Sequence, residues 1–236
     1  ADSLAKVEQM LPAATPNVPE GDSINLLDTI QNAFKGRASE VVLHNEKIKL
    51  TFSTQGGYPT SAALDSFTTY HGKDSLYVFN GKENELSLEL PYEGKILTTK
   101  NLFFQSESNT LANGDQQLKM ISDLGNGKQI IFEYSLPKNS YILKSNFRVI
   151  GFQNELAKTQ DIPMTWVTKA ERTEKDVTNE RLNFQNHFTF ADGDHDYFTI
   201  ERTNEEKLEE PVKWFGVRTH FFNSTIIADQ SFKNGS

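Results

Sequence analysis

The chain has 236 residues, with 24 Lys and Arg against 32 Asp and Glu, a formal net charge of −8. That balance argues against a nucleic-acid or polybasic membrane-surface binder, since both need clustered positive charge to displace counterions from phosphates. Cysteine is absent, which excludes disulfides, thiolate nucleophiles and thiolate-bound zinc or iron–sulfur centres.

Residues 1–40 differ from the rest. Pro12, Pro16 and Pro19 each lack a backbone N–H and hold the preceding residue extended, so the start reads as a tether. Leu26, Leu27, Ile30, Ala33 and Phe34 then recur at the helical period, between Ser23 as an N-cap and Gly36 past the last turn, and predict one short helix. From Val41 the period becomes two. Ile48, Leu50 and Phe52 alternate with polar residues, and Gln55-Gly56-Gly57 supplies the positive-φ positions that turn the chain into a second strand. Leu86, Leu88 and Leu90 form another alternating run, which Pro91 is expected to stop. Ile130, Phe132, Tyr134 and Leu136 follow the Gly125-Asn126-Gly127 turn, and Leu143, Phe147 and Val149 complete a hairpin across Pro137–Ser140.

Further on, Leu182, Phe184, Phe188 and Phe190 are assigned to one face of a single strand, with Asn183, Gln185, His187 and Thr189 on the other. Tyr197–Ile200 follows an Asp/Gly turn, and Glu201–Glu210 reads as a solvated connector. About a dozen strand-like runs at this spacing predict an all-β sandwich over residues 41–236 rather than βαβ units. The longest uninterrupted apolar run, Leu76–Phe79, is too short to cross a bilayer. Starting at Ala1 and stopping at Ser236, the sequence is expected to be a fragment of a longer chain.

Motifs for chemistry are sparse. No stretch matches a phosphate-cradling GxxxxGK[ST], a GxSxG elbow or a zinc-binding HExxH. Asp192-Gly193-Asp194-His195-Asp196 places alternate aspartates as an EF-hand loop does, but Tyr197 stands where the sharp turn needs Gly and Thr203 where calcium needs a bidentate Glu. A polar hairpin turn is therefore expected there, with a cation site of a kind other than an EF-hand as the alternative, and no metal or cofactor is assigned. The histidines His44, His71, His187, His195 and His220 do not fall at ligand spacing. His187 stands apart because a polar strand face carrying it beside a carboxylate would serve general acid/base work. The segment Lys213–Ala228 concentrates aromatic rings and, taken alone, reads as core.

Three stretches together carry a resemblance: Leu43-His44-Asn45-Glu46-Lys47-Ile48-Lys49-Leu50-Thr51-Phe52-Ser53-Thr54-Gln55-Gly56-Gly57; Ile131–Leu136 with Tyr141-Ile142-Leu143; and Lys213-Trp214-Phe215-Gly216-Val217-Arg218-Thr219-His220-Phe221-Phe222. In order and spacing, over about Val41 to Ile227, they resemble the large periplasmic domain of the YidC/OxaA family of membrane protein insertases, particularly its Bacteroidetes-like members. The resemblance implies a twisted β-supersandwich, like that of galactose mutarotases, exported to the periplasmic face of the bacterial inner membrane as the soluble domain of a multi-pass protein. It implies a non-catalytic role in membrane protein insertion through docking or spacing. The partners it implies are the Sec translocon or its accessory proteins and, through the parent, nascent membrane proteins. Insertion in this family takes place in a polar groove among membrane helices, so no insertase residue transfers to this chain.

Family members continue with more strands, so residues 41–236 are expected to lack part of the sandwich and to expose an unpaired edge, a route to self-association. Trp214, Phe215, Phe221 and Phe222 are the expected binding surface, or the core beneath it, because aromatic residues anchor interfaces. The alternative is a carbohydrate-binding or aldose-mutarotase-like protein that uses His187 with a carboxylate.

Overall fold

The computed structural model describes residues 32–72, 75–159, 161–199, 205 and 207–236. The tether, most of the helix expected over Leu26–Phe34, and Glu201–Asn204 and Glu206 of the acidic connector lie outside them. Of that helix, Asn32 and Ala33 are helical, and the buried Ala33 accepts a hydrogen bond at its carbonyl from the Phe103 N–H at 2.7 Å.

The period-two segments form β1 (Glu40–His44), β2 (Ile48–Ser53), β3 (Pro59–Thr68), β4 (Ser75–Asn80), β5 (Glu85–Tyr92) and β6 (Lys95–Thr98). After a 3₁₀ turn at Thr99–Asn101 come β7 (Gln105–Thr110), β8 (Gln116–Gly125), β9 (Lys128–Leu136) and β10 (Lys144–Ile150), then the one-turn helix α1 (Gln153–Leu156) and β11 (Met164–Val167). Helix α2 (Val177–Leu182) precedes β12 (Gln185–Phe190), β13 (His195–Thr199), β14 (Val212–Arg218) and β15 (Asn223–Phe232). Among the described residues these strands form four antiparallel sheets, ordered β1-β2-β3-β4, β11-β5-β6, β10-β9-β8-β7 and β13-β12-β14-β15. The expected all-β sandwich is therefore the architecture observed. β15 is an edge strand of the last sheet, paired on one side with β14.

The core lies between the β1–β4 and β7–β10 sheets. Alternation puts Ile48, Leu50 and Phe52 of β2 inward, to meet Leu118 and Met120 of β8 and Ile130, Phe132, Tyr134 and Leu136 of β9 in one buried cluster. Phe52 has no exposed surface, and its ring lies 4.7 Å from that of Tyr134. The Tyr134 hydroxyl donates to the Gly57 carbonyl at 2.7 Å, and burial pushes the phenol well above its ordinary range, keeping it a donor. Tyr134→Phe orphans that carbonyl inside the core and is expected to lose about 1–3 kcal/mol, read as a lower midpoint in urea unfolding.

Across one end of the sandwich, the buried Asn45 fills all four hydrogen-bonding positions of its amide. Nδ2 donates to the carbonyls of Pro137 and Ser140 at 2.6 and 2.7 Å, and Oδ1 accepts from the N–H groups of Lys47 and Ile48 at 2.9 Å each. One side chain thus joins the β1–β2 turn to the β9–β10 turn.

Two strand expectations need correction. Pro91 does not stop its strand, because β5 continues to Tyr92 and pairs with β6, Pro91 opposite Ile96. The Glu89 N–H points toward the β11 side, to Pro163 O, and Pro91 two residues on faces the same way, past the last residue that β11 pairs. The missing donor therefore breaks no ladder. Leu182 and Phe184 do not belong to the later strand. Leu182 ends α2 and is 65% exposed, because the Asp176 side chain caps the helix by accepting from the Asn179 N–H. The buried Glu180 carboxylate fixes α2 from below by accepting from the Thr173 N–H and hydroxyl.

Candidate functional site

The β12–β15 sheet carries the expected site residues, and strand pleating distributes them. Phe215 and Trp214 are consecutive in β14 and so point to opposite faces. Phe215 faces inward, opposite Phe188, with its ring 5.3 Å from Trp166 of β11 and 5.1 Å from Phe232 of β15. Trp214 lies on the outer face, 5.8 Å from the ring of His195.

The β14–β15 turn is held by the Thr219 N–H donating to Phe222 O at 2.8 Å. This turns Phe222 toward the body of the sandwich, where its ring meets Phe67 of β3 edge-on at 5.5 Å. Phe221, one residue earlier, remains 65% exposed and stacks on His220 at 4.0 Å. The four aromatics are thus not one cluster. Phe215 and Phe222 fasten the last sheet to the body, Trp214 joins an outer ladder, and Phe221 faces solvent at the hairpin tip.

The outer ladder was not legible from residue spacing. The Asp192-Gly193 turn, with Gly193 at φ +103°, sets a register in which His187 of β12 pairs with Tyr197 of β13 and Thr189 pairs with both His195 and Trp214. Side chains on one face of these strands therefore line up diagonally. His187 stacks at 5.2 Å on Tyr197 and at 5.2 Å on His195, which in turn meets Trp214. The aspartates of this loop serve the turn, with Asp192 accepting from the Asp194 N–H and Asp196 from its successor's N–H.

A hydrogen-bond chain fixes the imidazoles. Arg218, which can only donate, is 3.3 Å from Gln185 Oε1, and His187 Nε2 lies 3.0 Å from the same oxygen. That oxygen can only accept, so Nε2 carries the His187 proton and Nδ1 is bare; Nδ1 in turn accepts from His195 Nε2 at 3.1 Å. Burial first, then the His195 ring and the Arg218 guanidinium, hold the His187 imidazole below its ordinary range and so neutral. The hydrogen bonds of His187 thus run to an amide and to another imidazole, not to the carboxylate that the mutarotase-like alternative requires. Gly216 lies opposite His187, and a Cβ there would come within 2.5 Å of the Thr225 hydroxyl and 2.9 Å of Ser224 O. The absent side chain lets β14 and β15 approach at the centre of this face.

Elsewhere, an open polar groove of about 260 Å³ lies on the β1–β4 sheet, lined by Lys49, Thr51, Tyr77 and Lys82 among others. Among the described residues no three His, Asp or Glu side chains converge as a metal centre, and no helix is long and apolar enough to cross a membrane.

Comparison with known proteins gives the family. Residues 40–235 match the family described as the YidC periplasmic domain. The chain is similar to the membrane protein insertase YidC of Phocaeicola vulgatus, with 25% identity over 86% of this chain and 32% of that protein. It is 30% identical to that of Cytophaga hutchinsonii over 81% of this chain and 31% of that protein, and 26% identical to that of Porphyromonas gingivalis over 99% and 38%. The chain therefore spans roughly a third of the length of these relatives.

Proposed function

The chain belongs to the YidC periplasmic domain family, and on that premise we propose that it is the exported β module of an inner-membrane protein insertase, aiding insertion as a docking or spacing surface without turnover. Its place is the periplasmic face of the bacterial inner membrane, and its partners are the Sec translocon or its accessory proteins, with nascent membrane proteins reached through the rest of the parent. The observation that carries the docking role is Phe221, two-thirds exposed at a hairpin tip whose neighbour Phe222 anchors it against Phe67. A rigidly mounted, exposed aromatic is the kind of residue that dominates interface energetics when it enters a partner's pocket.

The test uses the full-length insertase in native membranes. Phe221→Ser is expected to lower co-purified translocon by about tenfold, the loss of roughly 1.4 kcal/mol of binding, with insertase abundance unchanged. Unchanged co-purification would overturn the docking role of this tip. Saturable heat on titrating the domain with hexoses would overturn the docking reading in favour of the carbohydrate one.

A further inference from the structure

The outer ladder of the β12–β15 sheet brings together two imidazoles that sequence spacing keeps apart, and we propose that His187 Nδ1 and His195 Nε2 form a chelating site for a late first-row divalent cation such as copper(II), nickel(II) or zinc. The two nitrogens lie 3.1 Å apart. Imidazole nitrogens bound to one cation at the usual bond length, in tetrahedral or square geometry, stand about 2.9–3.4 Å apart, so the pair is spaced for a shared ion.

His187 is prepared for this role. Its Nε2 proton is held by Gln185, itself held by Arg218, which leaves the Nδ1 lone pair directed at His195. A ligand imidazole whose far N–H is fixed by an oxygen acceptor is the usual arrangement at histidine metal sites, because it sets both ring orientation and tautomer. His195 makes its Nε2 available by moving its proton to Nδ1, a tautomeric change with no net proton release. The cation then replaces the hydrogen bond between the rings, with its other positions open to water or to a donor from a partner. With nitrogen donors alone at the site, borderline metals are selected over magnesium and calcium, which need an oxygen cage.

Trp214, one ring from His195, reports on the site. In a Trp166→Phe background it is the sole tryptophan of the chain. Copper(II) is expected to quench its fluorescence saturably at one equivalent, nickel(II) to do so more weakly, and zinc, the weaker binder, to displace copper only in large excess. His187→Gln and His195→Gln, each checked by circular dichroism for an unchanged fold, are expected to weaken binding by about a hundredfold, and Gln185→Ala by about tenfold. Magnesium in large excess leaves the quench intact. The proposal is overturned if copper(II) gives no saturable quench below about 1 mM, an affinity near 4 kcal/mol, or if folded His187→Gln and His195→Gln variants bind as tightly as the parent.

Discussion

Phe52→Ala is expected to lower stability by about 3–5 kcal/mol, the range for deleting a fully buried aromatic side chain. The ring is wholly enclosed between the two large sheets and touches Tyr134, whose hydroxyl spans to Gly57. Truncation removes apolar area from the core and leaves a cavity that neither sheet can close, because both are fixed by their own ladders. Native domains hold only about 5–15 kcal/mol, so the variant is expected to unfold at a much lower denaturant concentration with an unchanged slope. A loss under 1 kcal/mol in urea unfolding followed by tryptophan fluorescence would show that this is not the centre of the core.

Gly151→Val is the second large effect. Gly151 sits at φ +77°, and a Cβ there would lie 2.6 Å from Gly127 O, a backbone atom that cannot swing aside. This contact docks the β8–β9 turn against the segment entering α1, where Lys128 Nζ donates to Gly151 O at 2.7 Å and pairs with Glu155 at 2.8 Å beside the Phe152 ring. The left-handed backbone and the crowding together are expected to remove about 2–5 kcal/mol. Gly127→Ala separates the two causes: its φ is +72° but nothing lies within 4 Å of the added Cβ. That variant is expected to lose only about 1 kcal/mol, by thermal unfolding followed by circular dichroism. Equal losses in the two variants would mean that the docking contact contributes nothing.

Sequence reading succeeded where one physical rule dominated. In β2 and β8 burial repeats every second residue, and in β9 it does so past the buried pair Ile130 and Ile131, so alternation marks Ile48, Phe52, Phe132 and Leu136 as inward. It failed where two rules competed. At Asp176–Leu182 a capping side chain and a buried Glu180 outweighed the apparent alternation through Leu182 and Phe184. Composition alone marks the aromatic segment, but its neighbours in sequence diverge in space, because pleating sends Trp214 and Phe215 to opposite faces and the Thr219 turn separates Phe221 from Phe222. The His187–His195 pair depended on hairpin register, which no spacing rule contains. The clue was Asp192-Gly193, which folds the two strands back and could have suggested that residues eight apart meet across it.

The fourfold-bonded amide of Asn45 has a bearing on the order of events during folding. Two of its partners, the carbonyls of Pro137 and Ser140, lie 92 and 95 residues further along the chain. A chain delivered from its amino end therefore holds the first hairpin with half of that amide unanswered until the third and fourth strands of the opposing sheet arrive. Closing so long a loop is entropically demanding. Early β1–β2 pairing thus lacks the two Asn45 bonds that only the later hairpin supplies.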